Sequence, residues 1–167
     1  MKIAIFTIVL LCYCNVLISQ EVGSKYQGGI VIAPGIIINP IKFTDYVNPK
    51  YNKNLFSYEE AVLKCKRLKT NGYNDWRVPS IVDLQNIHLY AEDNRVWGGY
   101  PEPIEPGFTY ISSSTKKNDS FIGPKVYRYL FYMVSTKALK KLNPSSTNIE
   151  LRSLDATGRL IAVRYFR

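Results

Sequence analysis

Cysteine is scarce in this chain, and most of it lies outside the part that would fold. Of the 3 cysteines among 167 residues, Cys12 and Cys14 fall in an N-terminal apolar segment, and Cys65 alone lies beyond it. A lone cysteine excludes an internal disulfide and any multi-thiolate zinc set. Histidine is scarcer still: His88 is the only one, and no clustered carboxylates stand near it at a metal-ligand spacing. No metal and no cofactor are therefore expected. Zinc-finger, dinucleotide-binding and phosphate-loop spacings are absent, and the isolated pair Gly28–Gly29 is no substitute for them. Internal repeats and low-complexity tracts are missing too. Acidic residues are the minority, 13 against 22 Lys and Arg.

The N-terminal segment, MKIAIFTIVLLCYCNVLISQ, places Lys2 before an apolar run from Ile3 to Leu11 and ends in the small and polar Ser19 and Gln20. That layout reads as a secretory signal peptide over residues 1–19. An uncleaved anchor or a first buried strand is the alternative, but the run is too broken for a confident span of ~20 apolar residues. Export to the periplasm, outer surface or medium is expected, with no transmembrane segment in the mature chain. Residues 20–167 then form a single domain, large enough to hold itself by its core. Cys65 is expected to be a buried, quiet thiol on a helix face.

Loss of Lys2 from the 22 basic residues leaves 21 against 13 acidic ones, a balance of +8. The excess is local: Lys64, Lys66, Arg67 and Lys69 form one group, Lys116, Lys117 and Lys125 a second, and Lys137, Lys140 and Lys141 a third. Such groups attract anionic glycans, lipid headgroups or nucleic acid, or simply keep a surface solvated. Export argues against nucleic acid.

Two β-branched runs, IVIA and IIIN, flank Pro34–Gly35 and read as two strands and a turn. Ser57 and Glu60 predict a capping box opening a helix whose apolar stripe is Ala61, Cys65 and Leu68, with Phe56 as a staple and Gly72 as the stop. Ser80 and Asp83 predict the start of a second helix, striped by Leu84, Ile87 and Ala91. His88 neighbours that stripe and reads as a surface or edge-packed residue. Residues 92–107 are rich in Pro and Gly, reading as a long loop that exposes Trp97 and Tyr100. A short strand is expected over 108–114, a central strand over 126–135, and a hairpin joining NIELRSL to RLIAVRYFR through Asp155–Gly158. Two helices early and strands late predict an α+β fold with segregated helices and a mainly antiparallel sheet.

Between the helices lies NGYNDWRVPS, residues 71–80. Trp76 is a large amphipath whose indole nitrogen needs a partner when buried. Asp75 can accept from backbone amides, and Arg77 can reach a carboxylate or carbonyls. Pro79 fixes the approach to the capping Ser80. Asp75, Trp76, Arg77, Pro79 and Ser80 thus read as a structural motif, with ligand recognition as the alternative. No nucleophile–base pair lies within it.

This stretch, continued by Asp83–Leu84, resembles the signature of the Lcl C-terminal domain family, also called domain of unknown function 1566. The Ala61–Cys65 helix before it, GGIV at 28–31, YISSST at 110–115 and RLIAVRYF at 159–166 are similar to further family motifs in the same order, over nearly the whole mature chain. The resemblance implies a C-type-lectin-like fold, in the wide sense that includes formylglycine-generating enzymes, with members that are mostly exported and one branch tied to adhesion and glycosaminoglycan binding. Ile111 stands where the family usually has tryptophan. The collagen-like repeats of the adhesive branch and the usual histidine–glycine stretch are missing. One mature cysteine cannot supply a formylglycine-generating site.

Three function classes follow. The first is a non-enzymatic exported binding or adhesion module for an anionic glycan or an envelope protein, with Trp97, Tyr100, Tyr110, Lys116 and Lys117 as candidate ligand-binding residues. The second is a structural component of a surface assembly. The third is an enzyme acting on polysaccharide or peptide. Ser112–Ser114 lack a nucleophile-elbow frame, and only His88 could serve them as base. Asp93, Glu102 and Glu105 have no fixed spacing that would pair two carboxylates. No catalytic residue is therefore assigned.

Overall fold

The computed structural model describes residues 21–41, 55–93, 104, 107–120, 123–142, 145 and 147–166. The expected signal segment and most of the expected 92–107 loop, including Trp97 and Tyr100, lie outside the described residues. The elements in chain order are β1 (Lys25–Tyr26), β2 (Gly29–Ala33), β3 (Ile36–Ile38), α1 (Tyr58–Arg67), α2 (Ile81–Asp93), β4 (Phe108–Ser120), β5 (Gly123–Met133), α3 (Thr136–Leu142), β6 (Ile149–Arg152) and β7 (Val163–Tyr165). The architecture is α+β with two antiparallel sheets, one ordered β1-β2-β3-β7 and the other β4-β5-β6.

The strand pattern explains the core. Ile30 and Ile32 of β2 join one apolar cluster with Leu84, Ile87, Tyr90 and Phe131. Val31, between them, joins a second cluster with Phe56, Ala61, Cys65, Trp76 and Leu130. Successive strand residues point to opposite faces, so each central strand is buried on both sides. The same alternation runs through Leu130 and Phe131 of β5 and through Leu160, Ile161, Ala162 and Val163. That is why these stretches are near-continuously apolar and show poor alternation. It also sends the helices to opposite sides, α1 into one cluster and α2 into the other, rather than to one face.

Short-range signals produced their expected structures. Ser57 and Glu60 form a reciprocal capping box at the start of α1. Ser80 and Asp83 do the same for α2, with 2.7 Å from the Ser80 amide to Asp83 Oδ2 and 3.2 Å from the Asp83 amide to Ser80 Oγ. The Pro34–Gly35 turn joins β2 to β3, with Gly35 at φ +78°. Gly29 has a packing role: a Cβ there would lie 2.1 Å from Ile37 Cγ2 and 2.4 Å from the Ile38 carbonyl oxygen.

Four expectations are corrected. A third helix, α3, occupies TKALKKL, where the lysines mask a short helical repeat. The first helix stops at Leu68, before Gly72; Asn71 (φ +50°) and Gly72 (φ +82°) instead close a tight turn in which Thr70 and Tyr73 exchange both backbone hydrogen bonds. Two positive-φ residues in sequence are the backbone of a hairpin turn, which favours Asn-Gly. β6 and β7 do not pair with each other: β6 pairs β5, while β7 crosses to β3 in the other sheet. The residues between them bridge to Phe56 and Tyr110 rather than closing a hairpin. Finally, β4 runs on through Lys116 and Lys117 to Ser120, well past the expected end at 114.

Candidate functional site

The 71–80 loop is a hub of polar contacts, most of them made to the C-terminal strand. The Arg164 guanidinium grips Asp75 with both carboxylate oxygens, at 2.8 and 3.1 Å. It also donates to Gln27 and stacks 3.8 Å from the Tyr73 ring centroid. The hydrogen bonds from Arg164 hold the Asp75 carboxyl below its ordinary pKa. Asp75 therefore takes a side-chain cation from 89 residues away in addition to the local backbone amide expected of it. Arg77 behaves as expected, reaching Asp83 at 3.5 Å, and its guanidinium stacks 3.7 Å over Tyr165. Asp83 is buried at 1% exposure and accepts from the Ser80 amide, the Ser80 hydroxyl, Arg77 and the Tyr165 hydroxyl. Burial, with Asp83 beside it, pushes the Tyr165 phenol up. Pro79 is buried, and its carbonyl accepts from the amide and hydroxyl of Ser113.

Trp76 is buried at 3% exposure, yet its Nε1 has no hydrogen-bond partner among the described residues. An unmet buried donor costs about 1–3 kcal/mol. Arg128, also buried, shows a related deficit. It donates to the Ser112 carbonyl at 3.1 Å and stacks 3.7 Å from the Tyr58 ring, but its Nε is unpartnered and no carboxylate pairs with it among the described residues. A cleft of about 320 Å3 opens beside these groups, lined by Tyr58, Val62, Cys65, Lys66, Trp76, Arg77, Val78 and Ser113. Cys65, 2% exposed, is the buried thiol the helix pattern predicts, and burial pushes its pKa up to about 12.

The candidate ligand-binding residues separate. Tyr110 is corrected: at 1% exposure it is core, packed with Leu84 and Phe131, and presents no face to a ligand. Its position in β4, flanked by the core residue Ile111, puts both faces of the strand inside. Lys116 and Lys117 are exposed on β4 where it pairs with β5, opposite Tyr127 and Val126. β6 reaches only as far as Arg128, so among the described residues the ribbon beyond it has two strands. Lys116, Asn118, Lys125 and Tyr127 share one face of this arm, because cross-strand partners and alternate residues lie on the same side. Tyr129 continues that face toward the domain. None of Lys116, Lys117 and Lys125 pairs with a carboxylate among the described residues. Sequence reasoning noted these three lysines but missed Tyr127 and Tyr129, which it assigned to a central strand. The signal available was the alternation of Tyr127 and Tyr129 with Arg128.

The groups that suggested hydrolysis are otherwise engaged. Ser112 Oγ accepts from the Ser114 amide, Ser113 Oγ donates to the Pro79 carbonyl, and Ser114 Oγ accepts from the Ile81 amide. His88 is buried at 6% exposure rather than on the surface, with Nε2 3.2 Å from Thr136 Oγ1 and 3.5 Å from Glu92 Oε2. Glu92 in turn accepts from the Thr136 amide and hydroxyl, fastening α3 to α2. Burial depresses the His88 pKa, and Glu92 opposes that shift. Among the described residues no group of three or more His, Cys, Asp or Glu could hold a metal ion, and no helix is long and apolar enough to cross a membrane.

Comparison of the chain with models of known protein families and with curated proteins finds no match.

Proposed function

We propose that this chain is an exported, non-enzymatic binding module whose ligand-facing surface is the β4–β5 arm and whose ligand is an anionic glycan. In this reading the domain is a relative of the Lcl C-terminal family with a C-type-lectin-like fold. The observation that carries it is the arm itself: Lys116 and Lys125 are exposed on the face that holds Tyr127, Lys117 is exposed on the other face, and none of the three pairs with a carboxylate among the described residues, on a ribbon that extends past its third strand. Exposed charge pairs contribute about 0.2–1 kcal/mol each. Their field is screened over ~8 Å at physiological salt. Lysines alone therefore steer a polyanion and hold it weakly. Tyr127 and Tyr129 supply what charge cannot, flat apolar faces with a polar tip on which a sugar ring can stack. Tyr127 and Tyr129 thus take the place of Tyr110 in the recognition surface.

A glycan-array screen of the protein at low and physiological salt tests this reading. Retention of sulfated or carboxylated glycans at low salt, weakened at physiological salt, is the expected outcome. Failure to retain any anionic glycan at low salt would rule it out. A second reading, a component of a surface assembly, is favoured by Val82 and Leu89. They lie two turns apart on α2, 57% and 54% exposed. A stable copurifying protein that is lost on Leu89→Lys would support that assignment.

A further inference from the structure

We propose that β6 is a dimer interface: its outer edge pairs antiparallel with β6 of a second copy of this chain, about a two-fold axis at Leu151. The proposal is separate from the glycan reading, and neither rests on the other.

β6 ends its sheet, bonded to β5 on one side and to no described strand on the other. The ladder decides which of its backbone groups face outward. The Tyr132 amide donates to the Asn148 carbonyl at 2.7 Å, and these two residues stand opposite each other, one step beyond the Phe131–Ile149 pair. Hydrogen-bonded and non-bonded pairs alternate along an antiparallel ladder. Glu150 and Arg152 therefore bond β5, while the N–H and C=O of Ile149 and Leu151 point away from it. The Ile149 carbonyl accepts from the Thr147 hydroxyl at 3.0 Å. Leu151 presents both of its groups at an edge where residues 151–155 are all exposed. Such an edge is a template for another strand.

The side chains choose the partner and the register. With the axis at Leu151, Glu150 of each copy stands opposite Arg152 of the other. These are non-hydrogen-bonded pairs, whose Cα atoms lie about 4.5 Å apart. A shift of two residues one way would set Glu150 against Glu150, and the other way Arg152 against Arg152. Like charges directly opposite are destabilising. A shift of one residue would set outward backbone groups against inward ones. Within one chain Arg152 already donates to Glu150 from Nε and Nη2, at 2.9 and 2.7 Å, so two copies would close a ring of four alternating charges. On the opposite face Leu151, 42% exposed, meets Leu151 of the second copy, and Tyr129 beside it on β5 extends the apolar row.

Arg128 gives a second reason. It stands directly opposite Arg152 on the ladder, and no carboxylate pairs with it among the described residues. Glu150 of the second copy brings an acid to this pair of cations, on the face they share. The axis also sends the two β4–β5 arms out at opposite ends of a six-stranded sheet, so their lysines do not meet. Four-residue strands make a small contact, and the dimer is expected to be weak and concentration-dependent.

Sedimentation equilibrium of the purified protein, from about 1 μM to about 1 mM, is the test. A reversible monomer–dimer equilibrium is expected. Glu150→Arg alone and Arg152→Glu alone each set like charges opposite one another, and each should weaken the dimer by about tenfold or more. Mixing these two variants should restore association, because one copy then presents two arginines and the other two glutamates. Leu151→Pro removes the outward N–H and spares the bonds to β5, so it should leave a folded monomer. If that variant does not fold, the charge variants decide alone. A parent that stays monomeric at about 1 mM overturns the proposal. So does a dimer that neither charge variant weakens, or a mixture that associates no better than its components.

Discussion

The 71–80 loop and the β4–β5 arm carry similar residue types and use them in opposite ways. In the loop, Asp75 is clamped by Arg164, Arg77 is held between Asp83 and Tyr165, and Ser80 caps α2. On the arm, Lys116, Lys117 and Lys125 are exposed, with the half-buried Tyr127 on the same face as Lys116 and Lys125. The loop spends its charges on holding α1, α2 and β7 together, while the arm leaves them available. A motif rich in Asp, Trp and Arg is thus no sign of a recognition surface in itself. The informative property is whether the protein has already supplied each group's partner.

The comparison breaks most visibly if the loop proves dispensable. Trp76→Ala should cost about 3–5 kcal/mol, the penalty for removing a large buried aromatic. Thermal melts of variant and parent measure it, and an unchanged midpoint would remove Trp76 from the core.

Gly29→Ala probes the packing beneath the same tryptophan, since a Cβ there would also lie 3.2 Å from Trp76 Cη2. With Ile37 and the Ile38 carbonyl closer still, overpacking should cost about 1–3 kcal/mol. Chemical denaturation reads this directly; a neutral result would mean that β2 and β3 can separate to admit a methyl group.

A smaller effect is expected at His88. Its folded pKa is lowered from the usual 6.5, chiefly by burial, so the unfolded chain binds the proton more readily than the folded one. The stability that neutral His88 contributes is therefore complete above 6.5 and is lost as pH falls from there through the folded value. The denaturation midpoint should drop between about pH 7.5 and pH 5.5, and His88→Gln should shrink that drop. An equal drop in the variant would assign the acid sensitivity to other groups.

Local chemistry explains what was legible in the sequence. The Ser57–Glu60 and Ser80–Asp83 boxes, the Pro34–Gly35 turn and the burial of Cys65 each follow from residues within a few positions of one another. What was not legible depends on pairing across the chain. Asp75 and Arg164 meet only because β7 lies beside β3 and next to the loop, an arrangement that no spacing encodes. Tyr110 looked available because it stands in a polar, serine-rich neighbourhood, but the sheet has a core on both sides. Lys116 and Lys117 fell beyond the expected strand end at 114, since Lys, Asn and Asp are poor strand formers. Register with β5 overrides that preference. The lysines were therefore noted as charge, while their geometry on a ribbon and their proximity to Tyr127 were not.

The smallest stability effect belongs to the arm. Lys116→Glu with Lys117→Glu should change stability by no more than about 0.5 kcal/mol, because both side chains are exposed and pair with no carboxylate among the described residues. The same double variant gives the most direct test of the central claim, that the arm is the recognition surface. Parent and variant are passed over an immobilised sulfated polysaccharide at low ionic strength and eluted with rising salt. The account predicts that the parent is held and released toward physiological salt, while the variant, folded by the same melting criterion, runs through unretained. Elution of both proteins at the same salt concentration would contradict it.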